Sequence, residues 1–188
     1  KSFPENTELE ALVTFGGSKP GQYVYQVTPD PISISVHLHH SLVNLPNTDY
    51  QPRKFVPFSG FWSVGYEDYS VPIQESMKKQ FIPRHRLNKK QPNADMSEAI
   101  DPIIYYLDPG IPEPVMSALK DGALWWDQAF NAIGYKNAFQ VKVLPQDADP
   151  MDVLYNVIQW VDRATRGWSY GSSVIDPRSG EIIKGHVT

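Results

Sequence analysis

The stretch IIYYLDPGIPEPVMSALKDGALWWDQAFNAIG, residues 103 to 134, decides the fold. Ile103 to Leu107 form a compact apolar run that predicts a strand, and Asp108-Pro-Gly110 behind it is typical of a turn. Further along, Phe139 to Val143 alternates as a second strand and Tyr155 to Val161 predicts a third. The order in this half of the chain is therefore strand, helix, strand, strand.

The helix of this half is predicted from about residue 112 to 134. Pro112 and Pro114 are tolerated only in its first turn, and Gly134 supplies a C-terminal stop. Residues at helical spacing form one predominantly apolar stripe, so Trp126 is expected to pack in the core. The stripe comprises Val115, Leu119, Gly122, Trp126, Ala129 and Ile133.

The end of the chain predicts a β-hairpin. Trp168 to Ile175 and Glu181 to Val187 flank Asp176-Pro-Arg-Ser-Gly180, where proline and glycine favour a turn. The second arm is apolar and β-branched up to the last residues. We interpret it as a strand at which a longer chain has been interrupted.

The first half of the chain predicts an antiparallel, β-rich domain. Tyr23 to Val27 and Ile32 to His39 carry strand patterns, and Gly and Pro residues punctuate them with turns. Residues 46 to 72 are rich in proline and aromatic side chains, which we interpret as anchors of irregular segments. The basic stretch from Lys78 to Lys90 is expected to bridge two domains. The class is thus α+β, with domains at 1–95 and 96–188.

Composition narrows the function. The chain has 188 residues, a formal net charge of -4 and no cysteine. The acidic balance gives no general attraction to phosphate backbones, so no nucleic-acid partner is expected. No run of about 20 apolar residues is present, so no membrane span is predicted. Lys1-Ser-Phe-Pro4 lacks an initiator methionine and a signal core, and we interpret it as an internal position.

Several long motifs resemble the start of the catalytic domain of bacterial met-zincin metalloproteases. Residues 1 to 95 resemble the uncharacterised domain that precedes it in the same proteins. The motifs of the first domain are Ser35-Val-His-Leu-His-His-Ser-Leu42 and Arg84-His-Arg-Leu87. Those of the second are Tyr106-Leu-Asp-Pro-Gly-Ile-Pro-Glu-Pro114, Trp125-Trp-Asp-Gln-Ala-Phe130, Ile133-Gly-Tyr135, Asp147-Ala-Asp-Pro-Met-Asp152, Asn156-Val-Ile-Gln-Trp160 and Ser173-Val-Ile-Asp-Pro-Arg-Ser-Gly-Glu181.

This resemblance implies a zinc-dependent endopeptidase, secreted or in the periplasm or cell envelope, with peptide or protein substrates. The family's His-Glu-x-x-His zinc helix is not in this sequence, so no catalytic or metal-binding residue is carried over. We therefore expect zinc only in an intact parent protein, and no activity from these 188 residues alone.

The resemblance also implies a twisted sheet with one early helix and an antiparallel edge strand. We assign Glu181 to Val187 as that edge strand, which would pair with an extended substrate through free backbone groups. Its substrate-binding residues would be Ile183, Lys184, Gly185, His186 and Val187. The same exposed edge could join two copies of the chain into a homodimer.

Other interpretations stay open. His37 and His39 project to one side of their strand, with His40 nearby, so a metal site is the alternative to an ordinary polar strand face. The aspartates of residues 147 to 152 suggest either calcium or simple turns. The aromatics of residues 55 to 69 suggest anchoring or sugar stacking. A non-catalytic scaffold module that binds protein or carbohydrate is the alternative function.

Overall fold

A computed structural model of the protein describes residues 1–47, 49–162 and 167–188. The chain divides into two compact units, Lys1–Asn44 and Leu45–Thr188. The coarse α+β class is confirmed, because the described residues form many strands, several in antiparallel sheets, and few helices. A compact unit and an inherited domain need not share a boundary, so the boundary near residue 95 stays a prediction.

The first unit is a long two-stranded ribbon. Strand β1 (Asn6–Gly16) pairs with strand β2 (Ser33–Val43) in an antiparallel register that runs without interruption along both strands. The strand predicted from Ile32 to His39 is confirmed from Ser33 and extends to Val43. A short helix, α1 (Gln22–Val27), lies in the connection between the strands.

Helix α1 corrects the strand predicted from Tyr23 to Val27. The alternation of Tyr23, Tyr25 and Val27 resembles a half-buried strand, but all three side chains are exposed. An alternating segment becomes a strand only when a neighbouring strand takes its backbone hydrogen bonds. Here β1 and β2 pair with each other, and the connecting residues close a helical turn through Thr28 N–H and the carbonyl of Val24 instead.

The second unit contains the remaining elements. In chain order they are β3 (Val64–Glu67), β4 (Lys78–Phe81), β5 (Ser97–Glu98), β6 (Ile103–Leu107), α2 (Val115–Leu124), α3 (Trp126–Ala132), β7 (Tyr135–Lys136), β8 (Phe139–Val143), β9 (Asn156–Ile158), β10 (Gly171–Ile175) and β11 (Ile182–Val187). Strands β3 and β4 form an antiparallel pair, so the start of the basic stretch is a strand. Strands β5 and β7 form a short parallel pair.

The main sheet of this unit has five strands in the order β10-β11-β9-β6-β8. Strands β11, β9, β6 and β8 run parallel, and only β10 is antiparallel to its neighbour. The predicted strands β6 and β8 and the predicted C-terminal hairpin are confirmed. The third predicted strand is shorter than expected, since only three residues of Tyr155 to Val161 form β9.

The predicted helix is broken at Trp125, where the N–H of Trp125 bonds the carbonyl of Gly122. Its first part packs Val115 and Leu119 against a core of Leu107, Ile111 and Val141. Trp126 was expected in that core, but it lies in α3, beyond the break, and is 64% exposed. Gly134 ends the helical region as predicted, with a φ of 86°. Within the described residues, no helix has the length and apolar character needed to cross a membrane.

Candidate functional site

Strand β11 is an interior strand, which corrects the edge assigned to Glu181–Val187. It pairs with β10 on one side and with β9 on the other, at His186 and Val187. The backbone of Arg84 occupies the β9 side next to Glu181 through a further parallel bridge. Ile183 to Val187 are therefore not a free edge. Direct contact of these residues with substrate stays a prediction.

The antiparallel edge of the sheet is β10. Tyr170 and Thr188 exchange two backbone hydrogen bonds of 3.0 and 2.9 Å, which fixes the alternation along the pair. Ser172 consequently points its backbone groups toward β11, and Gly171 and Ser173 point theirs outward. No described strand pairs with that outer side. The outward N–H and C=O groups are the pattern that an added extended peptide would bind.

Lys184, in the middle of β11, is buried and binds a loop that precedes the hairpin. It is only 7% exposed, and its ammonium group donates to the carbonyls of Pro150 at 2.5 Å and Asp152 at 3.0 Å. Buried charges need such partners, because water is no longer available to solvate them. Lys184 is thus a structural cation that attaches the preceding loop to the hairpin.

The same loop decides the interpretation of its aspartates. Asp149 accepts the N–H of Met151, and Asp152 accepts the N–H of Leu154, at 2.9 and 3.0 Å. These are the local bonds by which aspartates form turns, so the turn interpretation is confirmed. Two inward carbonyls of this loop bind the Lys184 ammonium.

Two further contacts hold β11 between its neighbours. The side chain of Asn156 accepts the N–H of Gly185 at 2.7 Å and donates to the carbonyl of Ile104 at 2.8 Å, so it joins strands β11 and β6. Gly185 itself lies against the ring of Tyr105, where a Cβ would meet the hydroxyl at 2.0 Å. Burial raises the pKa of Tyr105, so its hydroxyl stays neutral there.

The turn between β10 and β11 contains two buried carboxylates. Asp176 is 2% exposed and pairs with Arg178 at 2.7 Å, and hydrogen bonds from Arg178 lower the pKa of Asp176. Glu181 pairs with Arg86, which lies 95 residues earlier in the chain. Near this turn, burial lowers the pKa of His85 to about 4, although the charge of Glu181 opposes the shift.

His186, at the end of β11, contacts Gln159 through its Nε2 atom at 3.0 Å. Burial is the main cause that lowers the pKa of His186, and the charge of Lys184 lowers it further. The imidazole therefore stays neutral more readily than an exposed one. Its contacts fit a side chain that joins β11 to the strand end beside it.

Two histidines of the first unit are paired with carboxylates. His37 lies 2.6 Å from Glu10, and His39 lies 2.5 Å from Glu8. His40 pairs opposite Leu9, on the other face of the ribbon. In residues 1–47, 49–162 and 167–188, no three metal-ligand side chains are grouped to hold an ion. The polar-face interpretation fits these contacts, and metal binding stays untested.

The aromatic cluster of residues 55 to 69 does not anchor itself as expected. Phe58, Trp62 and Tyr69 are among its members, and they are 98%, 80% and 82% exposed. The anchoring interpretation is wrong for these three rings. Exposed rings of this kind offer flat apolar surface to a binding partner.

A comparison with known protein families gives a match at the start of the chain. Residues 1–90 match the family model of a domain of unknown function, DUF5117. The match agrees with the uncharacterised domain expected at the start of the chain, and it includes the first unit and the first part of the second. No curated protein and no solved structure matches the chain.

Proposed function

We propose that this chain is part of a zinc-dependent metallopeptidase and supplies the substrate-binding edge of its catalytic domain. The observation that carries the proposal is the strand order β10-β11-β9-β6-β8, with one antiparallel strand at the edge of a parallel sheet. A helix directly after the first strand of that sheet adds to it. Both features are what the met-zincin resemblance implies for residues 96–188.

In this proposal the substrate peptide extends along β10. The outward backbone groups of Gly171 and Ser173 bind alternate residues of the peptide, and this pairing orients the chain with little demand on its sequence. Zinc, held by residues beyond this sequence, would activate water for peptide hydrolysis. The 188 residues themselves bind and orient, and we expect no hydrolysis from them. A secreted or cell-envelope location belongs to the same proposal.

The decisive experiment compares this chain with a longer form of the protein that continues past Thr188. We expect stoichiometric zinc by elemental analysis, and peptide hydrolysis that a chelator abolishes, in the longer form only. Absence of a His-Glu-x-x-His helix from the longer form, or stoichiometric zinc in the shorter chain, would overturn the proposal. A zinc-site glutamate variant of the longer form controls for contaminating proteases.

A binding module for carbohydrate or protein is the second candidate. The exposure of Phe58, Trp62 and Tyr69 favours it, because flat rings stack on sugars. Affinity electrophoresis in polysaccharide gels tests this, with Trp62→Ala as the variant and Trp126→Ala as the control for loss of an exposed ring. Retardation that only Trp62→Ala removes would support the module.

The outer side of β10, with which no described strand pairs, also leads us to expect a weak homodimer. An unpaired strand edge can bind the same edge of a second copy through backbone hydrogen bonds. Light scattering after size exclusion should show a mass that rises with concentration. Ser173→Pro removes an outward N–H and should give a monomer, whereas a monomeric wild type over a wide concentration range would contradict the expectation.

A further inference from the structure

We propose that Arg86 is a positioning residue that fixes the register of the β10–β11 hairpin, and that residues 45–90 thereby control the edge presented to substrate. The inference rests on the proposed function for its consequence, but its geometry stands independently. Residues 45–90 belong both to the DUF5117-like region and to the second unit, and in this proposal they hold the main sheet in place.

The Arg86 guanidinium binds Glu181 at two points. Its Nε atom donates to Oε1 at 2.7 Å and its Nη2 atom to Oε2 at 2.9 Å, the planar paired geometry that suits carboxylates. Asp49 accepts a third hydrogen bond from Nη1 at 2.5 Å. Glu181 is only 7% exposed, so Arg86 takes the place of the water that would otherwise solvate this side chain. The hydrogen bonds with Glu181 and Asp49 raise the pKa of Arg86.

The backbone beside Arg86 is bonded to the same turn. Arg84 N–H donates to the carbonyl of Gly180 at 3.0 Å, and Ile182 N–H donates to the carbonyl of Arg84 at 2.9 Å. Tyr50 supports both arginines, since their guanidinium carbons lie 4.8 and 5.6 Å from the centre of its ring. The segment therefore contacts Glu181 through both backbone and side chain.

Register is the property that these contacts control. Among the described strands β10 pairs with β11 alone, and the pairing shifts between Val174 and Ile175, next to the turn. A slip of one residue in such a pair exchanges the inward and outward backbone groups. Ser172 would then face outward in place of Gly171 and Ser173. By holding Glu181 at the start of β11, Arg86 opposes that slip.

The test uses the chain as it is and a fluorescent nine-residue peptide of alternating threonine and valine. Two N-methylated versions, each methylated at a different set of alternate amides, report whether binding uses one edge of the peptide. We expect Arg86→Met to weaken binding of the unmethylated peptide about tenfold or more. Arg53→Met, an exposed arginine in the same segment, is the matched control and should leave binding unchanged.

Hydrogen exchange supplies a readout that does not need the peptide. The amides of Ser172 and Val174 should exchange faster in Arg86→Met, while the amide of Tyr106 in the interior strand β6 should not change. A double variant, Arg86→Met with Glu181→Leu, removes the uncompensated charge and should recover thermal stability without recovering peptide binding or slow exchange. Recovery of stability without recovery of binding would show that Arg86 positions the hairpin and does not merely stabilise the fold.

The outcomes are distinguishable. If the wild-type chain binds none of the peptides, the proposed substrate edge fails, and the exchange data still decide the role of Arg86. If the peptide binds equally to Arg86→Met, or if Ser172 and Val174 exchange at the wild-type rate, the positioning role is overturned. Full recovery of binding in the double variant would also overturn it.

Discussion

The β1–β2 ribbon and the β10–β11 hairpin are both antiparallel strand pairs, but they differ in what surrounds them. The β1–β2 ribbon forms a sheet of its own, and its apolar residues such as Leu9 and Leu12 stay exposed. The β10–β11 hairpin joins a five-stranded sheet, so one of its strands is interior and its turn binds a distant segment. Alternation and turns are enough to form a hairpin, but only neighbours give it a buried face and a fixed edge.

The comparison predicts that a leucine-to-alanine substitution costs more stability in the five-stranded sheet that β10 and β11 join than in the β1–β2 ribbon. Leu107→Ala removes a fully buried side chain from β6, so we expect a loss of about 2–5 kcal/mol in the free energy of unfolding of the second unit. Leu12→Ala in the ribbon should cost less than about 0.5 kcal/mol. Hydrogen exchange measures each unit separately. Equal losses would show that the ribbon is buried in solution.

A histidine of the second unit, His85, is expected to make stability depend on pH. Since the pKa of folded His85 is about 4 against an ordinary 6.5, the unfolded chain takes up the proton first as the pH falls. The contribution to stability is complete above about pH 6.5 and is lost toward pH 4. Between pH 7.5 and 5, wild type should lose about 2 kcal/mol more than His85→Phe.

Urea unfolding followed by tryptophan fluorescence checks this difference, because all five tryptophans lie in the second unit. The wild-type and His85→Phe proteins are measured side by side at both values of pH. If the free energy of unfolding falls by the same amount in both proteins between pH 7.5 and 5, His85 is not buried in the folded chain.

Lysines provide the next test. Lys184→Met leaves the carbonyls of Pro150 and Asp152 without the ammonium group, which should cost about 1–3 kcal/mol. Lys142→Met, at an exposed position of β8 in the same sheet, is the control and should change little. Urea midpoints at constant m-value give the result. If Lys184→Met leaves the urea midpoint unchanged, other donors replace the ammonium group.

The smallest effect is expected on the face of the ribbon. Glu10 and His37 form a pair in which both side chains are mostly exposed, so Glu10→Gln should lower the stability of the first unit by less than about 1 kcal/mol. Hydrogen exchange across β1 and β2 measures it, with the same substitution in a His37→Gln background as the control. A larger loss would indicate that the pair is shielded from water.

Local patterns in the sequence predicted much of the main sheet. Ile103 to Leu107 could be predicted as a strand from its own residues. The Asp-Pro-Gly turn marks where the strand ends, and the apolar side chains indicate that it is buried. The C-terminal hairpin was likewise visible in its central turn. Tyr23 to Val27 was wrong because the pattern of a strand carries no information on whether a partner strand is available.

The edge of the sheet was missed because strand order is set by pairing across long distances. Two signals were present: Gly185 inside a strand suggests close approach of a neighbour, and the polar pair Ser172 and Ser173 suits an exposed edge. The pairing of Arg86 with Glu181 joins positions 95 residues apart, and nothing local marks it. The exposure of Trp126 was also missed, because helical spacing does not reveal that the helix ends at Leu124 and a separate helix begins at Trp126.

The contact between Gly185 and Tyr105 has a consequence for how this sequence can diverge. The tyrosine ring occupies the space that a side chain at position 185 would need. Neither position can change freely alone, since a larger residue at 185 requires a smaller one at 105. Among related chains the two positions should therefore vary together, so that a record of past substitutions would preserve this contact between two strands.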